Sequence, residues 1–504
     1  MNSAAHRIRR QRWEVRVADR DTAFALRAQL RRDLDSVLLP AMAQAFDALG
    51  SGDEVVHIPR LTLRMRVRNL DELAAQLPAQ VAQQLGAVLG AAAGGVADNG
   101  AETPRRRSAA EQRRASLLHY LRGGQLEWLE PRDDVATRAA RLREEAVQVA
   151  RIWRDDPAAM QHALPAVYDA AVVFFFRFLH LLPTSLSGEW LPALLAAAPG
   201  GGPRDTLLAG MQALPLRIAL PAPSLLHVRA ISLGLAWAER VPPDAELLAG
   251  LRALPGLDRL NAGRLESLLN VDRGGPRSAR EPVADATRQA AKSGRARAGV
   301  QGIDERDGRP GDDLLFDAPN TGLPLADAED QAGVRVQAAG LVLAHPFLAS
   351  LFAARGLLGE DGKTLSPHHL PRAAALLHWL ACWREEIFEF ELGLIKPLLG
   401  LRPENPLPVS LGLLDADDRA ECQALLTAMI SHWPALRATS LAGLRVSFLQ
   451  RSGLLRLAEG QHMGWRLQLE SESFDLLLAH LPWSIGIVKL PWMTRPIFTD
   501  WPTP

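Results

Sequence analysis

Apolar and polar positions alternate along residues 55–67, VVHIPRLTLRMRV, placing Leu61, Leu63, Met65 and Val67 on one face and Arg60, Thr62, Arg64 and Arg66 on the other. A period of two with one polar face predicts a half-exposed strand. Residues 12–17, RWEVRV, alternate in the same way. Between these runs Thr22–Leu49 carries apolar residues at helical spacing, with Asp21 placed to cap its start and Gly50 to stop it. Residues 1–70 therefore predict a strand–helix–strand module. Small and charged residues at 91–112 break the pattern, so 71–114 reads as a helix followed by a flexible linker. Helical periodicity returns over 115–272. Residues 273–333 are rich in Gly, Pro, Arg, Asp and Ala, with little apolar pattern to offset the entropy of ordering, and predict a disordered linker. The last region, 334–504, reads as a helical domain with small β elements, among them GWRLQLES at 464–471, and ends in a Trp/Pro-rich tail.

Proline limits the length of every helix. There are 35, and Leu-Pro occurs thirteen times. Proline breaks a helix it interrupts and disfavours helix at the residue before it. The longest proline-free run is Ala435–Leu481, 47 residues, about 70 Å if wholly helical. The expected fold is mainly α with small β elements, a multi-domain string of short helices and not a long rod.

Composition narrows the function classes. Lys+Arg and Asp+Glu both total 57 in 504 residues, which argues against a dedicated nucleic-acid binder. Cys382 and Cys422 are too few for a disulfide framework or a four-thiolate zinc site. The charged amino terminus has no apolar signal-peptide core, and a cytoplasmic product is expected. Ala163–Leu182 is the most apolar stretch, but Asp169, Arg177 and His180 within it favour a buried helix over a membrane span. With 53 Arg and only four Lys, the cations look like coding bias, so individual arginines carry little functional weight.

No HExxH, CxxC, GxSxG or GxGxxG pattern occurs. Gly362-Lys363-Thr364 lacks the upstream glycine of a phosphate loop and reads as a polar interhelix turn, as do His368 and His369. His378 and Cys382 share a helix face, but their apolar neighbours favour core packing over a nucleophile–base pair. Glu385, Glu386, Glu389 and Glu391 read as a solvated helix face. No catalytic, cofactor-binding or metal-ligating residues are assigned, and no enzyme is expected. The tail's Trp483 and Trp492, each in an LPW unit, and Trp501 suit a core cap first and a partner surface second. The basic amino-terminal residues Arg9, Arg10 and Arg12 complete the candidate partner surface.

Several long segments carry a family resemblance: AGLVLAHPFLASLFAARGLL (339–358), RAAALLHWLACWREEIFEFELGLIKPLLGL (372–401), ALLTAMISHWPALRATSLAGLRVSFLQRSGLL (424–455) and FDLLLAHLPWSIGIVKLPWM (474–493). The strand–helix–strand start fits too. So does YLRGGQLEW at 120–128, where Glu127 replaces a motif proline. Together they resemble the contractile injection system tape measure proteins of phage-tail-like particles. One departure is LIKPLLG at 394–400, where similar proteins have LNKLLCG. The resemblance implies a structural, non-enzymatic role that sets inner-tube length, with inner-tube and baseplate or spike proteins as partners, and without nucleic acid or membrane insertion. It places the chain in the bacterial cytoplasm during assembly, with the particle tube as a further candidate location. The proline-punctuated sequence sits uneasily with an extended ruler. The alternative is an assembly chaperone or terminal cap that binds tube or baseplate subunits without setting length.

Overall fold

The computed structural model describes residues 70–93, 105–127, 134–198, 203–269, 333–458 and 464–501, apart from isolated positions, together with parts of 24–65. The expected strand at 12–17, the linker expected at 273–333 (all but Gly333) and Arg9, Arg10 and Arg12 lie outside the described residues. Within them the chain is mainly α with small β elements, as the sequence predicts.

Near the amino terminus, a helix α1 (Leu39–Asp47) packs on α2 (Leu70–Ala93). Leu73, Leu77, Val81 and Leu85 recur every four residues of α2 and bury a continuous stripe against Leu38 and Met42. Before α1 lies a π-helical turn, Leu34–Leu38, closed by the Leu39 N–H on the Leu34 carbonyl. Pro40, one residue later, has no N–H to continue an ordinary ladder. The alternating run forms a shorter strand than expected. Among the described residues of that run, those in β1 fall within Glu54–His57, and Ile58, Leu61, Leu63 and Met65 are outside it; Pro59 has no N–H to donate to a ladder. Leu61, Leu63 and Met65 still pack on the core of this region, so the predicted apolar face is correct while the strand's extent is not.

The linker expected over 91–112 also needs correction. Arg105–Ser108 forms β2, antiparallel to β1, with Val56 opposite Arg106. Ser108 then caps α3 (Ala109–Gly123): its hydroxyl accepts from the Glu111 N–H at 3.2 Å, and Glu111 accepts from the Ser108 N–H at 2.8 Å. This capping box was present in the sequence as Ser-x-x-Glu.

Helices α4 (Val135–Asp155), α5 (Tyr168–Leu181) and α6 (Ala222–Trp237) surround an aromatic core. Phe174, Phe175 and Phe178 of α5 are fully buried there, with Trp153 at 4.9 Å from Phe178 and Trp190 at 5.0 Å. The apolar stretch is thus a buried helix, and no helix among the described residues is long and apolar enough to cross a membrane.

The carboxy-terminal region combines α7 (His345–Ala354), α8 (Leu370–Cys382) and α9 (Ala416–His432) with a five-stranded sheet. Its strands are β3 (Val334–Val336), β4 (Gly453–Ala458), β5 (Gly464–Leu469), β6 (Ile487–Val488) and β7 (Ile497–Asp500), in the order β3-β4-β5-β7-β6. All neighbours are antiparallel except β5 and β7. The strand-like 464–471 is β5. Gly340 must be glycine, since an added Cβ would sit 1.6 Å from the Phe448 carbonyl oxygen.

Candidate functional site: a buried charge cluster between two helical regions

Three charged residues, each enclosed by apolar sequence, meet where the α3–α6 region touches the carboxy-terminal region. Arg177 lies in VVFFFRFLHL on α5, Glu389 in IFEFEL after α8, and Lys396 in LGLIKPLL. All are buried, Lys396 completely. Arg177 Nε donates to Glu389 Oε2 at 2.6 Å and Nη2 to Oε1 at 2.8 Å, a two-pronged pair between residues 212 positions apart. Lys396 Nζ donates to the same Oε1 at 2.7 Å and to the Pro403 carbonyl at 2.9 Å. The Leu407 N–H donates to Glu389 Oε1 at 3.0 Å, the fourth bond to this carboxylate.

Arg177 also caps a helix. Its Nη1 donates to the carbonyls of Leu121 at 2.9 Å and Arg122 at 2.8 Å, at the end of α3. The chain leaves α3 through Gly124, left-handed at φ 70°. A Cβ there would stand 2.7 Å from Arg177 Nη2 and from the Glu389 carboxyl carbon. The glycine of the YLRGGQLEW segment is therefore required twice, by its backbone conformation and by the ion pair against it. Glu127, in place of the motif proline, accepts from Gln112 Nε2 at 2.7 Å.

Burial alone would push the Glu389 carboxyl up, but the Lys396 and Arg177 cations outweigh it and hold it down at about 2. Burial lowers the Lys396 ammonium, and Glu389 resists that shift. Isolated charges in such a site would neutralise; hydrogen bonding on every side keeps these ionised.

The acidic run 385–391, expected as a solvated helix face, is instead a wedge between the two regions. Glu389–Leu392 forms a 3-10 turn. Phe388 and Phe390 belong to the aromatic core of the other region: Phe390 meets Tyr120 edge-on at 5.9 Å, and His180 meets Phe388 at 5.6 Å. Glu386 pairs with Arg143 of α4, and Glu385 with Arg419 of α9. Glu391 accepts from the Phe388 N–H at 3.0 Å, from Arg384, and from His378 Nε2 at 3.3 Å. His378 is buried, as its apolar neighbours predict, with Nδ1 donating to the Arg384 carbonyl at 3.0 Å. Burial disfavours its charged form, yet the contacts with Cys382 and Glu391 prevail and raise it to about 9.

The other sequence candidates fall elsewhere. Trp483, Trp492 and Trp501 lie half-buried against the carboxy-terminal core. The Trp483 indole N–H bonds to the Leu343 carbonyl at 3.1 Å and that of Trp492 to the Leu398 carbonyl at 2.8 Å, while Phe352 stacks on Trp492 at 5.1 Å. Arg451 lies 5.3 Å from the Trp501 ring. The 361–364 segment is a turn in which Asp361 Oδ1 accepts from the Lys363 and Thr364 N–H groups, each at 2.9 Å. Among the described residues no cluster of His, Cys, Asp and Glu has the grouping of a metal site.

From the sequence Arg177 marks a buried helix and Glu389 a solvated face, but nothing in that reading brings the two together or points to Lys396. Their signal was a charge inside each of three apolar runs, two positive and one negative, since a buried charge needs a partner. The YLRGG segment and the 372–401 block, which both carry the family resemblance, meet at this cluster. Comparison with curated proteins and with solved structures finds no match. The sequence model of the contractile injection system tape measure proteins, however, matches residues 5–501. With almost its whole length covered by that model, the chain belongs to the contractile injection system tape measure protein family.

Proposed function

We propose that this protein is a structural assembly component of a contractile injection particle and works as a folded body on inner-tube and baseplate subunits. The observation that carries this reading is the Arg177–Glu389–Lys396 cluster, which fastens the α3–α6 region to the carboxy-terminal region. Residues 270–332 connect these two regions in sequence, and the regions can be pulled apart along a tube only if the cluster opens. Opening it would also bring Phe388 and Phe390, buried in the aromatic core of the other region, into water. The helices are also short: α2, at 24 residues, spans about 36 Å. Trp483, Trp492 and Trp501, with Arg9, Arg10 and Arg12, are the surface proposed to meet particle subunits. The cytoplasm is the proposed site of action, during assembly.

A second reading, favoured by family membership, is that the chain sets tube length directly, with its scale in the connecting segment. Deleting Gly274–Gln331 and measuring particles by electron microscopy separates the two. The folded-body reading expects particles of normal length. Shortening by about 87 Å if the segment is helical, or by up to about 190 Å if it is extended, overturns it in favour of a ruler.

A further inference from the structure

Arg445 begins a π-helical turn, Arg445–Leu449, and is almost wholly buried. Its Nε donates to the Leu380 carbonyl at 2.9 Å, near the carboxy-terminal end of α8. Neither Nη1 nor Nη2 has a hydrogen-bond partner. A buried guanidinium with its two outer nitrogens unanswered is costly, and native interiors rarely leave one so. The groups that act electrostatically on Arg445 are the Cys422 and Cys382 thiols, and burial pushes the Cys422 thiol up to about 12, so it brings no negative charge.

What covers the guanidinium is Trp383, whose ring centre lies 3.9 Å from Arg445 Cζ. Among the described residues Trp383 is the one non-glycine residue in the left-handed region, at φ 53°, and the residue is 44% exposed. Glycine would normally end a helix in this conformation, and a tryptophan there is held against a steric cost. Strained residues concentrate at ligand clamps, and π-turns at functional positions. Three independent features therefore coincide: a left-handed aromatic residue, a π-turn, and an orphaned pair of donors beneath the ring.

We propose that Trp383 is a movable cover over a carboxylate-binding site whose floor is the Nη1 and Nη2 of Arg445. With Nε fixed on Leu380, the two free nitrogens form the end of the guanidinium fork, which matches the two oxygens of a carboxylate. Swinging the indole outward exposes the fork without disturbing the Nε bond. The incoming carboxylate replaces the cation–π contact with two charge-assisted hydrogen bonds. This site is separate from the cluster around Glu389 and does not depend on the assembly reading.

The test uses the full chain and follows its melting temperature against acetate, inorganic phosphate and chloride at equal ionic strength. Acetate should raise the melting temperature of the wild type, and the rise should vanish in Arg445→Met. In Trp383→Gly, which removes the cover and suits the left-handed backbone, half-saturation should need about tenfold less acetate, on the scale of one desolvated cation–π contact. An equal acetate response in wild type and Arg445→Met overturns the proposal. So does the absence of any response in both wild type and Trp383→Gly, or a Trp383→Gly response no stronger than the wild type's. Stabilisation by phosphate without acetate also overturns it, by excluding the carboxylate as the ligand.

Discussion

At Glu389 one carboxylate faces two cations, so the three residues should not be equally costly to change. Replacing Glu389 with Gln leaves Arg177 and Lys396 buried side by side with no countercharge, which should cost about 3–5 kcal/mol. Replacing Lys396 with Met leaves a neutral Arg177–Glu389 pair and fills the same apolar volume. The loss is then the bonds to Glu389 Oε1 and to the Pro403 carbonyl, about 1–3 kcal/mol, with no charge left unpaired. Urea unfolding of the two variants checks the order; equal losses would mean that electrostatics does not govern the cluster. Arg177 illustrates what a sequence conceals at this scale. In a chain with 53 arginines, composition alone gives no reason to single out one of them. Its position within VVFFFRFLHL does give one, because a side chain in such a run is buried and must find an anion. Which anion is a matter of tertiary structure, and the partner lies 212 residues away.

Elements were legible in proportion to how local their causes were. The stripe on α2, the buried α5 and the strand β5 follow from periodicity, and the cap of α3 from Ser108 and Glu111. The strand β2 was not legible, since Arg105–Ser108 is polar throughout and gains its conformation from pairing with β1. The wedge at 385–391 was misread because a run of glutamates normally faces water. Here Glu385, Glu386 and Glu389 find cations on α9, α4 and α5, Glu391 pairs with Arg384 and His378, and Phe388 and Phe390 enter the neighbouring core. His378 holds the carboxy-terminal side of that wedge through Glu391, and this makes the element sensitive to pH. The histidine is raised from 6.5 to about 9 in the fold. A base whose native value is raised contributes stability that is fully present below the unfolded value and is lost as pH rises towards the native one. The stability advantage of the wild type over His378→Gln should therefore be largest below pH 6.5 and shrink progressively up to about pH 9. Chemical denaturation at stepped pH reads this difference. A gap that widens with rising pH would show that the imidazolium–Glu391 contact is not what holds the wedge.

For the whole molecule, the question is whether the two regions stay fastened while the particle is built. A folded body acts with Arg177 and Glu389 engaged; a ruler acts only after they part. Arg143 on α4 and Glu386 on the wedge pair across the same boundary, and both are more than a third exposed, so they can be linked covalently without entering the core. Consider Arg143→Cys with Glu386→Cys in a Cys382→Ser background, which removes the half-buried native thiol beside the wedge. A flexible bis-maleimide would join the two new thiols and keep the regions together throughout assembly. The exposed Arg143–Glu386 pair contributes little by itself, about 0–1 kcal/mol, so the unlinked variant should assemble particles normally and serves as the control. If the folded body is the working form, linked protein should support particles in normal number and of normal length, as counted and measured by electron microscopy. If the chain must open along the tube, linkage should abolish assembly or yield tubes of uncontrolled length while the unlinked control remains normal. A defect confined to the linked protein would therefore sink the folded-body reading. Because the link lies outside the buried cluster, that defect would not be confused with misfolding of the cluster.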